Sequence, residues 1–88
     1  MVVLPPAPTP LYHHPLPSLE SWLESLGAQQ PHRHSPLWTL ERPGWSAEIE
    51  LRPAELLVRW LQDGERRQRT FSYGLTREDV QAAILAGP

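Results

Sequence analysis

The chain has 88 residues and a formal net charge of −2, and every basic residue other than histidine is an arginine. A chain of this length holds one domain, and its slight acidity argues against a general binder of nucleic acid or anionic membranes, which would carry an excess of basic side chains. The absence of cysteine excludes a disulfide scaffold, a thiolate metal site and a cysteine nucleophile.

No apolar run approaches the roughly 20 residues that a membrane-spanning helix needs. The first residues also lack the basic start and the long apolar stretch of a secretory signal peptide. We therefore expect a cytoplasmic protein.

Proline dominates the start of the chain, where residues 5–17 contain six of the eleven prolines. Proline fixes φ and has no backbone N–H, so a stretch this rich in it is not expected to form a helix or a regular ladder. We predict a flexible proline-rich arm over residues 1–10 and a single α+β domain over residues 11–88.

A first helix is indicated after this arm. Ser18 is a suitable N-cap, and Gly27 follows the last apolar residue of the pattern. The apolar residues that recur at helical spacing are Leu19, Trp22, Leu23 and Leu26.

Alternation with a period of two predicts half-buried strands at residues 37–41 and 45–51. Pro43-Gly44 marks the turn between them. Because Pro-Gly favours a type II turn, whose twist suits a two-residue hairpin poorly, we predict a four-residue loop that closes Glu41 onto Ser46. The pairs expected on the buried face are Leu40 with Ala47 and Trp38 with Ile49.

Residues 53–63 fit either a helix or a strand. Pro53 at a first helical position and Gly64 after the last apolar residue favour a short helix. Asp63-Gly64 is also the strongest two-residue hairpin signal, and residues 67–73 alternate as a strand does. We favour the strand, which predicts these pairs: Gln62 with Glu65, Leu56 with Phe71, Val58 with Arg69, and Trp60 with Arg67 as a cation–π pair.

A second helix is predicted at the end of the chain, with Thr76 as its cap and Asp79 at the capping-box position. Its apolar stripe consists of Val80, Ala83 and Ile84. The predicted fold class is therefore α+β: a four-stranded, mostly antiparallel sheet flanked by an N-terminal and a C-terminal helix packed on one face, in the order α-β-β-β-β-α.

The opposite face of the sheet is expected to be solvated and mostly polar. Leu57 and Leu61 would be two large apolar side chains on it, with Arg59 between them, which suits a contact with a protein. A free sheet edge would add backbone hydrogen bonds to such a contact, or to a homodimer.

Three stretches of the chain are familiar: TPLYHHPLPSLESWLESLG at residues 9–27, WSAEIEL at 45–51 and RTFSYGLTREDVQAAILAGP at 69–88. In this order they resemble a family of small uncharacterised proteins of cyanobacteria with relatives in plant plastids. The resemblance brings no activity and no catalytic residues. It implies the cytoplasm or stroma of a phototroph, a housekeeping or assembly role, and a strand at residues 55–62.

Neither a metal site nor an enzyme is expected. Adjacent histidines point apart in an extended chain, and no two histidines have the spacing of a helical metal motif. We also find no phosphate-binding loop and no nucleophile motif, and the carboxylates of Glu48 and Glu50 are typical of a wet strand face. No cofactor is predicted. The histidines are His13, His14, His32 and His34.

The sequence favours a non-enzymatic adaptor or assembly factor that binds a protein through the open sheet face and the hairpin at residues 63–64. The alternative is an accessory RNA- or ribosome-associated protein that uses the arginine cluster Arg59, Arg66, Arg67 and Arg69. The contact residues of the favoured interpretation are Leu57, Arg59, Leu61, Arg66, Arg67 and Arg69.

Overall fold

Two helices and four strands make up the fold in a computed structural model that describes residues 4–33 and 35–88. After a 3₁₀ turn at Leu11–His13, the elements are α1 (Leu16–Ser25), β1 (Leu37–Arg42), β2 (Trp45–Leu51), β3 (Glu55–Gln62), β4 (Glu65–Ser72) and α2 (Arg77–Ala86). The strands form one antiparallel sheet in the order β1-β2-β3-β4. The predicted α+β class and element order are confirmed.

The register of the hairpins is the predicted one. Trp38 pairs with Ile49 in the first hairpin, and Gln62 pairs with Glu65 in the last. Residues 55–62 therefore form a strand rather than a helix. Asp63 and Gly64 both have positive φ, 51° and 79°, which is the requirement of the type I′ turn that closes two-residue hairpins.

The loop between β1 and β2 is shorter than predicted. Arg42 pairs with Trp45, so only Pro43 and Gly44 lie between the strands, and the predicted four-residue loop is wrong. The register that pairs Leu40 with Ala47 continues without a break to the last residue of β1 and the first residue of β2. Gly44, with φ of 86°, supplies the positive φ that a turn of this kind needs at its second central residue.

Both helices pack on one face of the sheet. The indole N–H of Trp22 in α1 donates to Oε1 of Gln81 in α2 at 2.9 Å, and that of Trp60 in β3 donates to the carbonyl of Ile84 at 3.3 Å. These two indoles thus have their polar atoms satisfied while their rings fill the core, whereas Nε1 of the buried Trp38 has no partner among the described residues. The largest fully buried side chains of this core are Trp22, Trp38, Phe71, Leu11, Leu23, Leu40, Ile49 and Leu56.

Helix α1 begins earlier than predicted, and Ser18 is not its cap. Pro15 occupies the N-cap position without a side-chain hydrogen bond, and the N–H of Ser18 already donates to the carbonyl of Pro15 at 2.9 Å. Proline fits this first turn because the N–H groups there have no partner inside the helix. Ser18 is instead buried inside the first turn.

The start of α2 is capped by two separate segments of the chain. The Oγ1 of Thr76 accepts from the N–H of Asp79 at 3.2 Å, which confirms the predicted cap. The N–H groups of Arg77 and Glu78 donate to the carbonyls of Thr9 and Ala7, at 3.1 and 3.0 Å. Three of the four N–H groups that a helix start leaves without an intrahelical partner are therefore bonded by these contacts. The flexibility of residues 1–10 in solution stays a prediction.

We expect removal of residues 1–9 to lower the free energy of unfolding by about 1–3 kcal/mol, because it takes away two backbone acceptors of α2. The comparison is Thr76→Ala, which removes the third acceptor and is expected to cost about 1 kcal/mol. Denaturant unfolding measures both. A shortened chain that unfolds at the same denaturant concentration as the full chain would show that the arm does not cap α2.

A phenol joins the end of the last hairpin to the loop before β3. The Tyr73 hydroxyl donates to the carbonyl of Arg52 at 2.6 Å. Burial raises the pKa of Tyr73 above its ordinary value of 10.0, and the Glu55 carboxylate raises it further. The protonated phenol is therefore favoured by folding, so its contribution to stability is complete below pH 10 and is lost as the pH rises through the folded-state pKa.

We expect Tyr73→Phe to lower the free energy of unfolding by about 0.5–1.5 kcal/mol at neutral pH. The difference between the two proteins should shrink above pH 10, because only the unchanged protein loses stability when this phenol ionises. Urea unfolding at pH 7.5 and 10.5 measures it. Tyr12→Phe is the control, since that ring is 62% exposed, and it should change stability at neither pH.

Candidate protein-interaction surface

The sheet face away from the helices, called the outer face here, is built from cross-strand rows set by the register. One row consists of Leu37, Glu50, Leu57 and Thr70, the next of Thr39, Glu48, Arg59 and Gln68, and the last of Glu41, Ser46, Leu61 and Arg66. Polar side chains predominate in the second and third rows and make up half of the first, as expected for a sheet with one solvated face. The predicted surface therefore exists as a continuous face.

Leu57 is not available for contact, although it lies on the outer face as predicted. Its side chain is only 1% exposed, and it does not belong to the core beneath the helices. Because β3 is a central strand, Leu57 has Glu50 on one side, Thr70 on the other and Arg59 two residues along. We attribute its burial to the long side chains of these neighbours. The prediction that Leu57 is an exposed contact residue is wrong.

Leu61 remains exposed, at 44%. It pairs with Arg66 on β4 and with Ser46 on β2, next to the Asp63-Gly64 turn. A single exposed leucine is ordinary on a protein surface. Here it stands between Ser46 and Arg66 on an otherwise polar face, and arginine is one of the residue types enriched at protein interfaces.

The carboxylate of Glu50 forms ion pairs with two arginines of this region. Its Oε2 lies 3.0 Å from Nε of Arg52, and its Oε1 lies 3.7 Å from Nη1 of Arg59. All three side chains are partly exposed, so each pair contributes under about 1 kcal/mol. The consequence for recognition is larger, because Glu50 neutralises much of the positive charge of Arg59 and leaves the centre of the outer face nearly balanced.

The predicted arginine cluster is divided between the two faces of the sheet. Arg59 and Arg66 are on the outer face, whereas Arg67 and Arg69 pair with Trp60 and Val58 on the face that the helices cover. Neighbouring residues of a strand point to opposite faces, but β4 is an edge strand, and Arg67 lines one cleft of about 340 Å³ together with Arg59 and Arg66. Arg69 does not line this cleft. The four side chains do not form a single patch.

The cation–π pair is also different from the one predicted. The ring of Trp60 is 5% exposed and stands edge-on to Phe71, with ring centroids 6.5 Å apart, so Arg67 has no free ring face to cover. Among the described residues, it is Arg69 that lies over an aromatic ring, with its guanidinium carbon 4.8 Å from the centroid of Phe71. These two residues share a face because they are two positions apart on β4.

The histidines are dispersed in the structure. His13 packs against Tyr12 with ring centroids 4.2 Å apart, while Nδ1 of the buried His14 lies 3.1 Å from the carbonyl of Pro10. His32 is exposed in the loop before β1, and His34 lies outside the described residues. Within residues 4–33 and 35–88 no three histidine, aspartate or glutamate side chains are grouped closely enough to hold a metal ion.

A four-stranded antiparallel sheet with two helices on one face and an uncovered opposite face defines a small α+β domain of the open-faced sandwich kind. The chain belongs to DUF3143, a family of proteins of unknown function, which it matches over residues 26–87. This range contains the whole sheet and all of α2, whereas α1 precedes it. No curated protein and no solved structure matches the chain.

The described part of the chain contains no helix that is long and apolar enough to cross a membrane.

Leu57 is buried and Leu61 is exposed on the same outer face, so the same substitution at both positions tests this difference in burial. We expect Leu57→Ala to lower the free energy of unfolding by about 2–5 kcal/mol, because it leaves a cavity at a buried site. Leu61→Ala should change it by less than about 0.5 kcal/mol. Denaturant unfolding of both variants measures the difference, and equal effects would contradict the burial of Leu57.

Proposed function

We propose that the protein is a non-enzymatic adaptor or assembly factor that binds another protein through its outer face and the Asp63-Gly64 hairpin. The observation that carries the proposal is Leu61, an exposed apolar side chain beside Arg66 on a sheet face that neither helix covers. Arg59 adjoins them in the next row. Leu57 belongs to the proposed surface as its buried support and not as a contact.

The charge distribution of the outer face favours a protein over a nucleic acid. Carboxylates stand in every row of this face, and Glu50 is ion-paired with Arg59 at 3.7 Å. Phosphate groups approaching the centre of the face would meet these carboxylates, which repel them. A protein surface offers both signs of charge and apolar groups, so it complements such a mixture.

The second candidate is an accessory RNA- or ribosome-associated protein. It is favoured by the three arginines of β4, which form no ion pair with any described residue. One observation weighs against it. The aromatic side chains nearest to these arginines, Trp60 and Phe71, are 5% and 2% exposed, so they offer no free ring on which a base could stack.

We propose the cytoplasm of a cyanobacterium, or its counterpart in a plant plastid, as the setting, because this is what the resemblance of the sequence implies. An assembly role suits this small domain because its contact residues, the exposed Leu61 and Arg66 and the partly exposed Arg59, lie together on the outer face, where a second protein can reach them. We propose no catalytic role for any side chain.

The test is affinity capture of a tagged copy from its own host, with and without nuclease, for the unchanged protein and for Leu61→Glu. We expect a stoichiometric protein that resists nuclease and that Leu61→Glu loses at least about tenfold, a loss of roughly 1.4 kcal/mol in binding. The matched control is Leu75→Glu, because Leu75 is 41% exposed and lies outside the sheet. It should retain the partner.

Two results would move the RNA alternative into first place. One is loss of all captured proteins after nuclease treatment. The other is binding that weakens steeply between about 50 and 200 mM salt, as counterion release from phosphate contacts requires. Equal capture by Leu61→Glu and the unchanged protein would show that the outer face is not the contact surface.

A further inference from the structure

The two edges of the sheet differ in what pairs with them. On the β1 side, Gln29 and Thr39 exchange two backbone hydrogen bonds of 2.8 Å, so the loop before β1 occupies part of that edge. On the β4 side, no described residue pairs with the strand, and residues 65–70 are all exposed. The edge formed by β4, called the free edge below, is therefore unpaired by any described residue along all eight residues of the strand.

The turn determines which backbone groups of β4 face outward. In a two-residue hairpin the pair that flanks the turn, here Gln62 and Glu65, exchanges both hydrogen bonds, and such pairs recur at every second residue. The backbone groups of residues 65, 67 and 69 are thus directed to β3. The N–H and C=O groups directed away from the sheet belong to Arg66, Gln68 and Thr70.

The free edge is basic on both of its sides. Arg66 is on the outer face and Arg67 and Arg69 are on the helix-covered face, and none of them makes an ion pair with a described residue. Two copies paired through this edge and centred on Gln68 would place Arg67 of one copy opposite Arg69 of the second. Like charges directly opposite each other destabilise a strand pair, whereas acidic side chains in those positions would stabilise it.

A groove continues this edge toward α2. It has a volume of about 360 Å³, within the range of about 300–1,000 Å³ of ligand-binding clefts. A strand added to β4 would direct every second side chain into it. The groove is lined by Trp60, Arg67, Arg69, Ala83, Ala86 and Gly87, among others.

We infer that the free edge of β4 binds an extended acidic segment of another protein as a fifth strand. The backbone of the segment bonds to Arg66, Gln68 and Thr70, and the carboxylates of alternate residues lie beside Arg67 and Arg69 at the groove. This is strand addition, in which main-chain hydrogen bonds give affinity and alternate side chains give specificity. The inference rests on the proposed function in one respect, namely that the partner is a protein.

The test uses the full chain and a synthetic peptide that alternates valine and glutamate and is as long as β4. Amide hydrogen exchange is followed by NMR with and without the peptide. We expect slower exchange at Arg66, Gln68 and Thr70, and little change at Arg67 and Arg69, whose N–H groups are already bonded within the hairpin. A peptide with lysine in place of glutamate should bind at least about tenfold more weakly.

Two variants separate the contribution of the backbone hydrogen bonds to peptide binding from that of the arginine charges. Gln68→Pro removes one outward N–H and keeps the bonds to β3, since proline is tolerated on an edge strand when its nitrogen faces solvent. It should weaken peptide binding at least about tenfold. If this variant does not fold, the double variant Arg67→Gln with Arg69→Gln, which changes no backbone group, should weaken binding of the acidic peptide to the level of the lysine peptide.

Several outcomes would overturn the inference: protection without the alternation along β4, equal binding of the two peptides, a homodimer that protects the same amides without peptide, or binding of an oligouridylate but not of the peptide. The peptide measurement and the partner capture use different probes, so failure of this inference and failure of the proposed function are distinguishable. Partner capture that depends on Leu61, combined with no peptide binding, would overturn strand addition and leave the proposed function standing.

Discussion

Two helices of ten residues each cover one face of a four-stranded sheet, and the rows of paired residues show where that cover stops. One row runs through Trp38, Ile49 and Val58, all of them buried, and ends at Arg69 on β4. The row beside it also ends in an arginine, Arg67. Since each row crosses the sheet at a fixed register, the part of β4 that carries Arg67 and Arg69 lies beyond the helices on its inner side, whereas Phe71 on the same strand is buried beneath them. The basic edge and the groove beside α2 both follow from this incomplete cover, because an arginine needs solvent for its head while its stem lies on apolar surface.

Much of the fold could be predicted because several local signals agreed. Asp63-Gly64, the period of two on both sides of it and the need to bury one face all required the same pairing of β3 with β4. The first residue of α1 could not be predicted in the same way. Ser18 satisfies a local capping preference, but the backbone bond to the carbonyl of Pro15 forms the first turn without a side-chain cap. Propensity is a weak guide to the terminal residues of a helix.

The candidate surface was only partly predictable. Alternation correctly assigned Leu57 and Leu61 to the same face, but it gives no information about exposure at a given position. We attribute that difference to Glu50, which the hairpin places beside Leu57, and to the ion pair that Glu50 forms with Arg59. Position along the strand matters as well, because Leu61 stands beside the turn, where the neighbouring side chains are fewer. A sequence pattern with a period of two cannot distinguish these two environments.

The capping of α2 has a consequence for the order in which the chain acquires its structure. Arg77 bonds through its guanidinium to the carbonyl of Pro5, 72 positions earlier in the chain. During synthesis the amino-terminal segment, whose carbonyls are the acceptors, leaves the ribosome long before the donors of α2 exist. It has no partner while the hairpins between them form. Contacts of such large sequence separation carry the greatest loop-closure entropy when they form first. Joining the two ends is therefore expected to be the final step of folding, and the first contact to open when the molecule unfolds locally.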